Sequence, residues 1–202
     1  MAQLATKLHE RAERKSRKRD EKKQQIARSA IKALQQLGYA NTGLRDIAAD
    51  ADMSLGSLHY YFEDKTALII YCVTRYKEDF VHGISQKLQL ASDFESLVDG
   101  FSLALADTII DDSETHQLWY DIRSQSQFDP VFRPVVSEIE ASMIDVIAMA
   151  ARSLNLTMDA ETEYAALDGV FRYSLQERRF GKYKSRDDLC VVFREYLQRW
   201  RS

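Results

Sequence analysis

The sequence predicts an all-α protein, and three observations carry that expectation. Glycine (7) and proline (2) are scarce across 202 residues, so helix breakers and strand-turn signals are few. Apolar residues recur at helical spacing along most of the chain. Hydrophobic residues make up 45% and charged residues 29%, a balance that suits a folded globular chain rather than a disordered one.

Residues 1–19 alternate charge with few apolar anchors and read as a basic N-terminal arm, mobile or marginally helical. From Asp20 the pattern tightens. Ile26, Ala30, Ile31, Ala33, Leu34 and Leu37 fall on one helical face, and Gly38 supplies the stop. A short helix over 44–51 buries Leu44, Ile47, Ala48 and Ala51; the connection Asp52-Met53-Ser54 leads into another over 55–61. Two helices of about seven or eight residues joined by about three or four form the helix-turn-helix pattern.

Longer helices follow over 65–90, 93–110, 115–127, 134–154, 159–176 and 185–200. Pro130 and Pro134, the only prolines, bracket the break before the fourth of these. No internal repeat is found.

Charge is unevenly spread. Residues 1–80 hold 15 Lys/Arg against 11 Asp/Glu, whereas 81–202 hold 13 against 20, so a net charge of −3 conceals a basic head on an acidic body. Residues 1–35 alone carry 11 basic and 4 acidic side chains. A basic head suits a polyanionic partner; a solvated, charged helix is the plainer reading of such a run.

Other classes find no support. No run of about 18 apolar residues offers a membrane span, and the N-terminus lacks the apolar core and cleavage site of a secretory signal. Cys72 and Cys190 lie far apart in no metal or redox spacing, which suits a reducing cytoplasm. His9, His59, His82 and His116 show no ligand spacing, and there is no phosphate loop or nucleophile elbow. Neither an enzyme, a metal nor a cofactor is expected.

Within 43–62 the residues separate by role. Ile47, Ala48, Met53, Leu58 and Phe62 face inward. Ser54 stands where the third helix needs an N-cap. Gly56 and Ser57 are small enough to permit close approach to a groove, and His59 and Tyr60 point away from the Leu58/Phe62 pair. Lys65 lies at the start of the next helix, where backbone N–H groups attract phosphate.

The stretch from Ile26 to Leu68 resembles the DNA-binding domain of the TetR family. Gly38-Tyr39, Thr42, Leu44-Arg-Asp-Ile-Ala48, Ser54-x-Gly-Ser-Leu58, Tyr60-Tyr-Phe62 and Lys65-x-x-Leu68 carry the likeness. It implies a helix-turn-helix DNA-binding domain over 20–66 (motif 43–62), fused to a helical ligand-binding and dimerisation domain over 67–202. It places Thr42, Arg45, Ser54, Leu55, Gly56, Ser57, His59, Tyr60 and Lys65 at DNA-contacting positions. The chain departs from the pattern at Gly43, where the family has a capping Ser/Thr, and at Asp52, where the family turn has Gly.

In the C-terminal part, residues 91–130 hold nine acidic side chains against one basic, Arg123. They read as a solvated face in preference to a site for a cationic effector. Phe101, Leu105, Trp119, Tyr120, Arg123 and Phe128 are candidate effector contacts, as an aromatic pocket with few polar anchors is the common form of a ligand site. The resemblance assigns dimerisation to the helices over 134–154 and 159–176, with Val136, Ile139, Met143, Ile147, Tyr164, Leu167, Phe171 and Leu175 as candidate interface residues. The implied protein is a cytoplasmic, nucleoid-associated homodimeric regulator of a palindromic operator, answering to a small-molecule effector. It would act as a repressor by family analogy; an activator or a helical small-molecule carrier is the rival reading.

Overall fold

A computed structural model describes residues 2–183 and 185–201. Among them the regular elements are all helical: α1 (Ala2–Asn41), α2 (Leu44–Asp50), α3 (Leu55–His59), α4 (Lys65–Gln89), α5 (Phe94–Asp111), α6 (Ser113–Gln125), α7 (Arg133–Ser153), α8 (Ala160–Arg179) and α9 (Arg186–Leu197). Short 3₁₀ turns at Pro130–Phe132 and Gln198–Arg201 complete them. No described helix is long and apolar enough to cross a membrane. The chain divides into a head, 1–73, and a body, 74–202. The division falls beyond the expected 66/67 because Leu68 and Cys72 join the head's core.

The arm, expected to be mobile or marginally helical, is helical from Ala2 and continuous with the helix that follows. The physical reason lies in its composition. Residues 2–37 contain no glycine or proline, and Ala, Leu, Lys, Arg, Glu and Gln are the strongest helix formers. Gly38 ends the regular helix as expected, with φ 76° and ψ 165°, a conformation only glycine adopts cheaply.

The head closes on Ile26, Ala27, Ala30 and Ala33 of α1, Ile47 and Ala48 of α2, Leu58 and Phe62 around α3, and Leu68 and Cys72 of α4. Met53 packs at its edge. Leu37, placed on the inward stripe by spacing, lies 44% exposed where the helix leaves the core. A Lys32 Nζ–Asp50 Oδ1 pair at 2.7 Å ties α1 to α2 and holds the Asp50 carboxyl below its ordinary range.

The α2–α3 turn is a Schellman motif. Met53 N–H donates to Ala48 O (2.9 Å) and Asp52 N–H to Ala49 O (3.2 Å). The residue at the left-handed position is Asp52, with φ 51°. Helices α7 and α8 end in the same way, through Asn155 (φ 54°) and Gly181 (φ 86°). Only Asp52 among the three lacks a residue type suited to the position. Asp52→Gly should therefore stabilise the head by up to about 1 kcal/mol, strain relief outweighing glycine's greater freedom when unfolded. A urea midpoint that falls on substitution would contradict this.

In the body, α9 packs along α5, and α7 packs on α8. Leu189, Phe193 and Leu197 of α9 are fully buried. Beside this seam Arg194 meets Asp99 (2.5 Å), Arg186 meets Asp107 (2.6 Å) and Arg201 meets Glu95 (3.5 Å). Partner numbers rise on one helix as they fall on the other, so α5 and α9 run antiparallel. Glu95 and Asp99 stay exposed, as expected of a solvated face, while pairing with arginines at the surface; Asp107 is half-buried.

Candidate nucleic-acid interface and a buried cavity

The head's outward face is assembled by two caps. Ser54 accepts from Ser57 N–H (3.1 Å) and shares a hydrogen bond with the Ser57 hydroxyl (2.8 Å), so it caps α3 as expected. At α2, Gly43 offers no side chain, yet its N–H donates to Asp46 Oδ2 at 2.7 Å, which preserves the acidic half of a capping box. These caps leave Arg45, Ser54, Gly56, Ser57, His59 and Tyr60 exposed, with Leu55 half-buried. His59 Nδ1 lies 3.1 Å from Glu63 O. A carbonyl can only accept, so Nδ1 carries the proton and Nε2 is the atom left for a partner.

Two expected contacts are placed otherwise. Thr42 is buried, and its hydroxyl is held by Gly38 O (2.8 Å) with Ala33 O nearby (3.3 Å). It closes the gap that the Gly38 kink opens and is a scaffold residue, not an outward one. The Lys65 ammonium donates to the Tyr39 carbonyl and sits 4.3 Å over the Tyr39 ring, its pKa lowered by burial. It too is bound within the head.

The structure also adds contacts that the spacing did not reveal. The Arg19 guanidinium lies 5.8 Å over the Tyr60 ring. Lys15, Lys18 and Arg19 line a surface cleft together with Tyr60 and Tyr61. The basic stretch of α1 and the end of α3 therefore form one cationic, aromatic surface.

The body holds a cavity of about 60 Å³, several times the volume of about 10–15 Å³ that admits one water. Phe101, Leu105 and Tyr120 line it as expected. Trp119 is buried beside it without lining it, and Arg123 stands behind its wall, bonded to Asp168 (2.5 Å) and Glu140 (2.6 Å). Phe128 is 82% exposed and is not a pocket residue; it follows the end of α6, in the loop ahead of Pro130.

Met143, Ile147, Tyr164, Leu167 and Phe171, expected at a dimer interface, line the cavity instead. Val136, Ile139 and Leu175 are buried within the single chain as well. The reason is geometric: an apolar stripe on α7 or α8 is satisfied by the nearest core, and these stripes face the body's own interior.

Sequence reasoning missed Lys77 and Asp168, the charged residues of the cavity wall. Lys77 is 4% exposed and has three aromatic rings around its ammonium: Phe80 at 4.6 Å, Trp119 at 4.9 Å and Tyr76 at 5.5 Å. Burial pushes its pKa down to about 7, against the pull of Asp168. Asp168 accepts from Tyr120 Oη (2.9 Å) as well as from Arg123. The signal was present in the spacing. Lys77 lies between Val73 and Phe80, and Asp168 between Tyr164 and Phe171, each on the apolar stripe of its helix.

A helix-turn-helix head with a cationic face and a helical body with a cavity of its own make up the chain. Residues 26–72 match the family model described as bacterial regulatory proteins, tetR family. The head thus carries the N-terminal segment that defines this family. A 70-residue stretch is 33% identical to the probable HTH-type transcriptional regulator YttP of Bacillus subtilis (strain 168), covering 35% of this chain and 32% of that one. The match thus spans about a third of the curated relative's length. Among solved structures, a TetR family transcription regulator from Marinobacter aquaeolei VT8 is similar over 90% of this chain and 97% of its own, with a TM-score of 0.71 and 15% identity. The multidrug binding protein EbrR, complexed with imidazole, is similar over 88% and 93%, with a TM-score of 0.65 and 24% identity. At these identities the likenesses show the fold.

Proposed function

We propose that the chain is a DNA-binding transcriptional regulator whose body cavity takes a small-molecule effector. The observation that carries this reading is the outward set Ser54, Gly56, Ser57, His59 and Tyr60, held on a closed core beside the basic stretch of α1. A helix that presents small residues at its N-terminus suits the major groove, and flanking Arg and Lys suit the phosphates. One head covers a half-site. A homodimer that sets two α3 helices about 34–36 Å apart reads a palindrome, and such a dimer uses outer faces, for instance the exposed Ala165, Ala166, Gly169 and Tyr173 of α8.

An effector in the cavity shifts the population between a state that fits successive major grooves and one that does not. Coupling of about 1–3 kcal/mol corresponds to a 5–150-fold change in operator affinity. The reading favours a repressor released by its ligand.

The test is a gel shift on the gene's own upstream region, followed by footprinting. A sequence-selective, palindromic footprint is expected; the absence of any selective shift at moderate salt would remove the regulator reading and leave a helical small-molecule carrier. Neutralising Lys15, Lys18 and Arg19 should flatten the log–log salt dependence by about 0.9 for each phosphate that these side chains neutralise in the parent complex. An unchanged slope would detach α1 from the interface.

A further inference from the structure

We infer that the body cavity takes a small apolar molecule bearing one carboxylate, with the Lys77 ammonium as its counter-charge and the Tyr164 hydroxyl as a second donor. This rests on the cavity being an effector site. Two independent features of the wall support it.

The first is the state of Lys77. The side chain is almost wholly buried, and among the described residues its ammonium makes no hydrogen bond or ion pair; three ring faces lie against it, with the Asp168 carboxylate farther off. Its three N–H donors thus have no protein acceptor. A buried cation without a partner is among the costliest groups a core can hold. Such a group is more readily retained for a ligand than for stability, because function tolerates local destabilisation that packing does not.

The second is Tyr164. Its residue is 8% exposed, it lines the same cavity, and its hydroxyl has no hydrogen-bond partner. A carboxylate offers two oxygens and about four acceptor sites, enough for both groups. The rest of the wall, with Phe101, Leu105, Ile147 and Phe171, is apolar and would hold a ring or a short alkyl chain.

The opposite assignment, an organic cation, fails on the acid. Asp168 is the carboxylate of the wall, and each of its oxygens is already bonded, one to Tyr120 and the other to Arg123. Arg123 is shared with Glu140, which lies outside the wall. Asp168 is therefore already engaged at both oxygens, while Lys77 and Tyr164 offer donors that no protein acceptor takes.

The experiment measures thermal shifts and affinities of the full chain with three matched sets: benzoate and hexanoate, benzamide and hexanamide, benzylamine and hexylamine. Carboxylates should bind at least about thirtyfold more tightly than their amides. Lys77→Met should abolish that preference, and Tyr164→Phe, which removes one oxygen, should weaken carboxylate binding about tenfold. Equal binding of amides or amines, or carboxylate binding unchanged in Lys77→Met, overturns the inference, as does the absence of carboxylate binding. Operator release by a neutral or cationic compound would overturn it too, while leaving the effector-responsive regulator intact.

Discussion

Lys77→Met should melt well above the parent protein in the absence of ligand. Burying a cation costs several kcal/mol even after relaxation. Three aromatic faces return about 2 kcal/mol or somewhat more. Methionine keeps most of the volume and removes the charge, so a net gain of about 2–4 kcal/mol is expected, or at least about 5 °C in Tm for a chain of this size.

The pH dependence supplies an internal check. Burial holds the Lys77 pKa at about 7 in the native state, against about 10.4 when unfolded. Between these values the unfolded chain binds a proton that the native one has released, so native stability rises with pH through that window. Below about pH 7 both states are charged and the penalty is fully present. The Tm difference between variant and parent should therefore be largest near pH 6 and shrink towards pH 10. The neighbouring groups do not reverse this: Asp168 and Arg123 stay paired, Tyr76 is pushed further up by burial, and burial keeps His116 neutral. Melting curves that stay parallel across this range would show that Lys77 is not the titrating group.

Leu58→Ala should dissolve the head while the body persists. Leu58 is fully buried and is the residue by which α3 anchors to the core of Ile26, Ile47, Phe62 and Leu68. Truncating a buried leucine costs about 2–5 kcal/mol, a large share of what a head of this size has to spare. The expected result is loss of selective DNA binding together with a separate, earlier unfolding step for the head. Carboxylate binding by the body should survive, because every residue lining the cavity lies beyond residue 73. A variant that keeps full operator affinity and a single unchanged transition would refute the proposed role of this anchor.

Much of the head was legible because its determinants are local. The Gly38 stop, the Ser54 cap, the inward set Ile47, Ala48, Met53, Leu58 and Phe62, and the left-handed strain at Asp52 are properties of short windows, and the structure shows each. Thr42 and Lys65 were assigned outward from the family pattern, yet their positions depend on partners in α1: the carbonyls of Gly38 and Tyr39. A hydroxyl or an ammonium next to a kinked helix end is drawn to the free carbonyls there, and nothing in a linear spacing reports how close they come.

In the body, periodicity located the helices and their apolar stripes but could not say what each stripe faces. Met143, Ile147, Tyr164, Leu167 and Phe171 form valid stripes for a dimer seam or for a core, and the same residues satisfy either. The solvated α5 carboxylates gain arginine partners only because α9 and the turn after it lie antiparallel beside them, with Arg186, Arg194 and Arg201 in register. By itself the sequence determined that the chain is helical, that 43–62 is a helix-turn-helix, and which side chains of α3 are too small or too polar to be core. Those follow from propensity, capping and spacing within a few turns. Only the tertiary structure decided that Lys77 and Tyr164 share a cavity while Asp168 and Arg123 satisfy each other. Pairing of buried charges depends on helices dozens of residues apart meeting in space, and no local pattern encodes that distance.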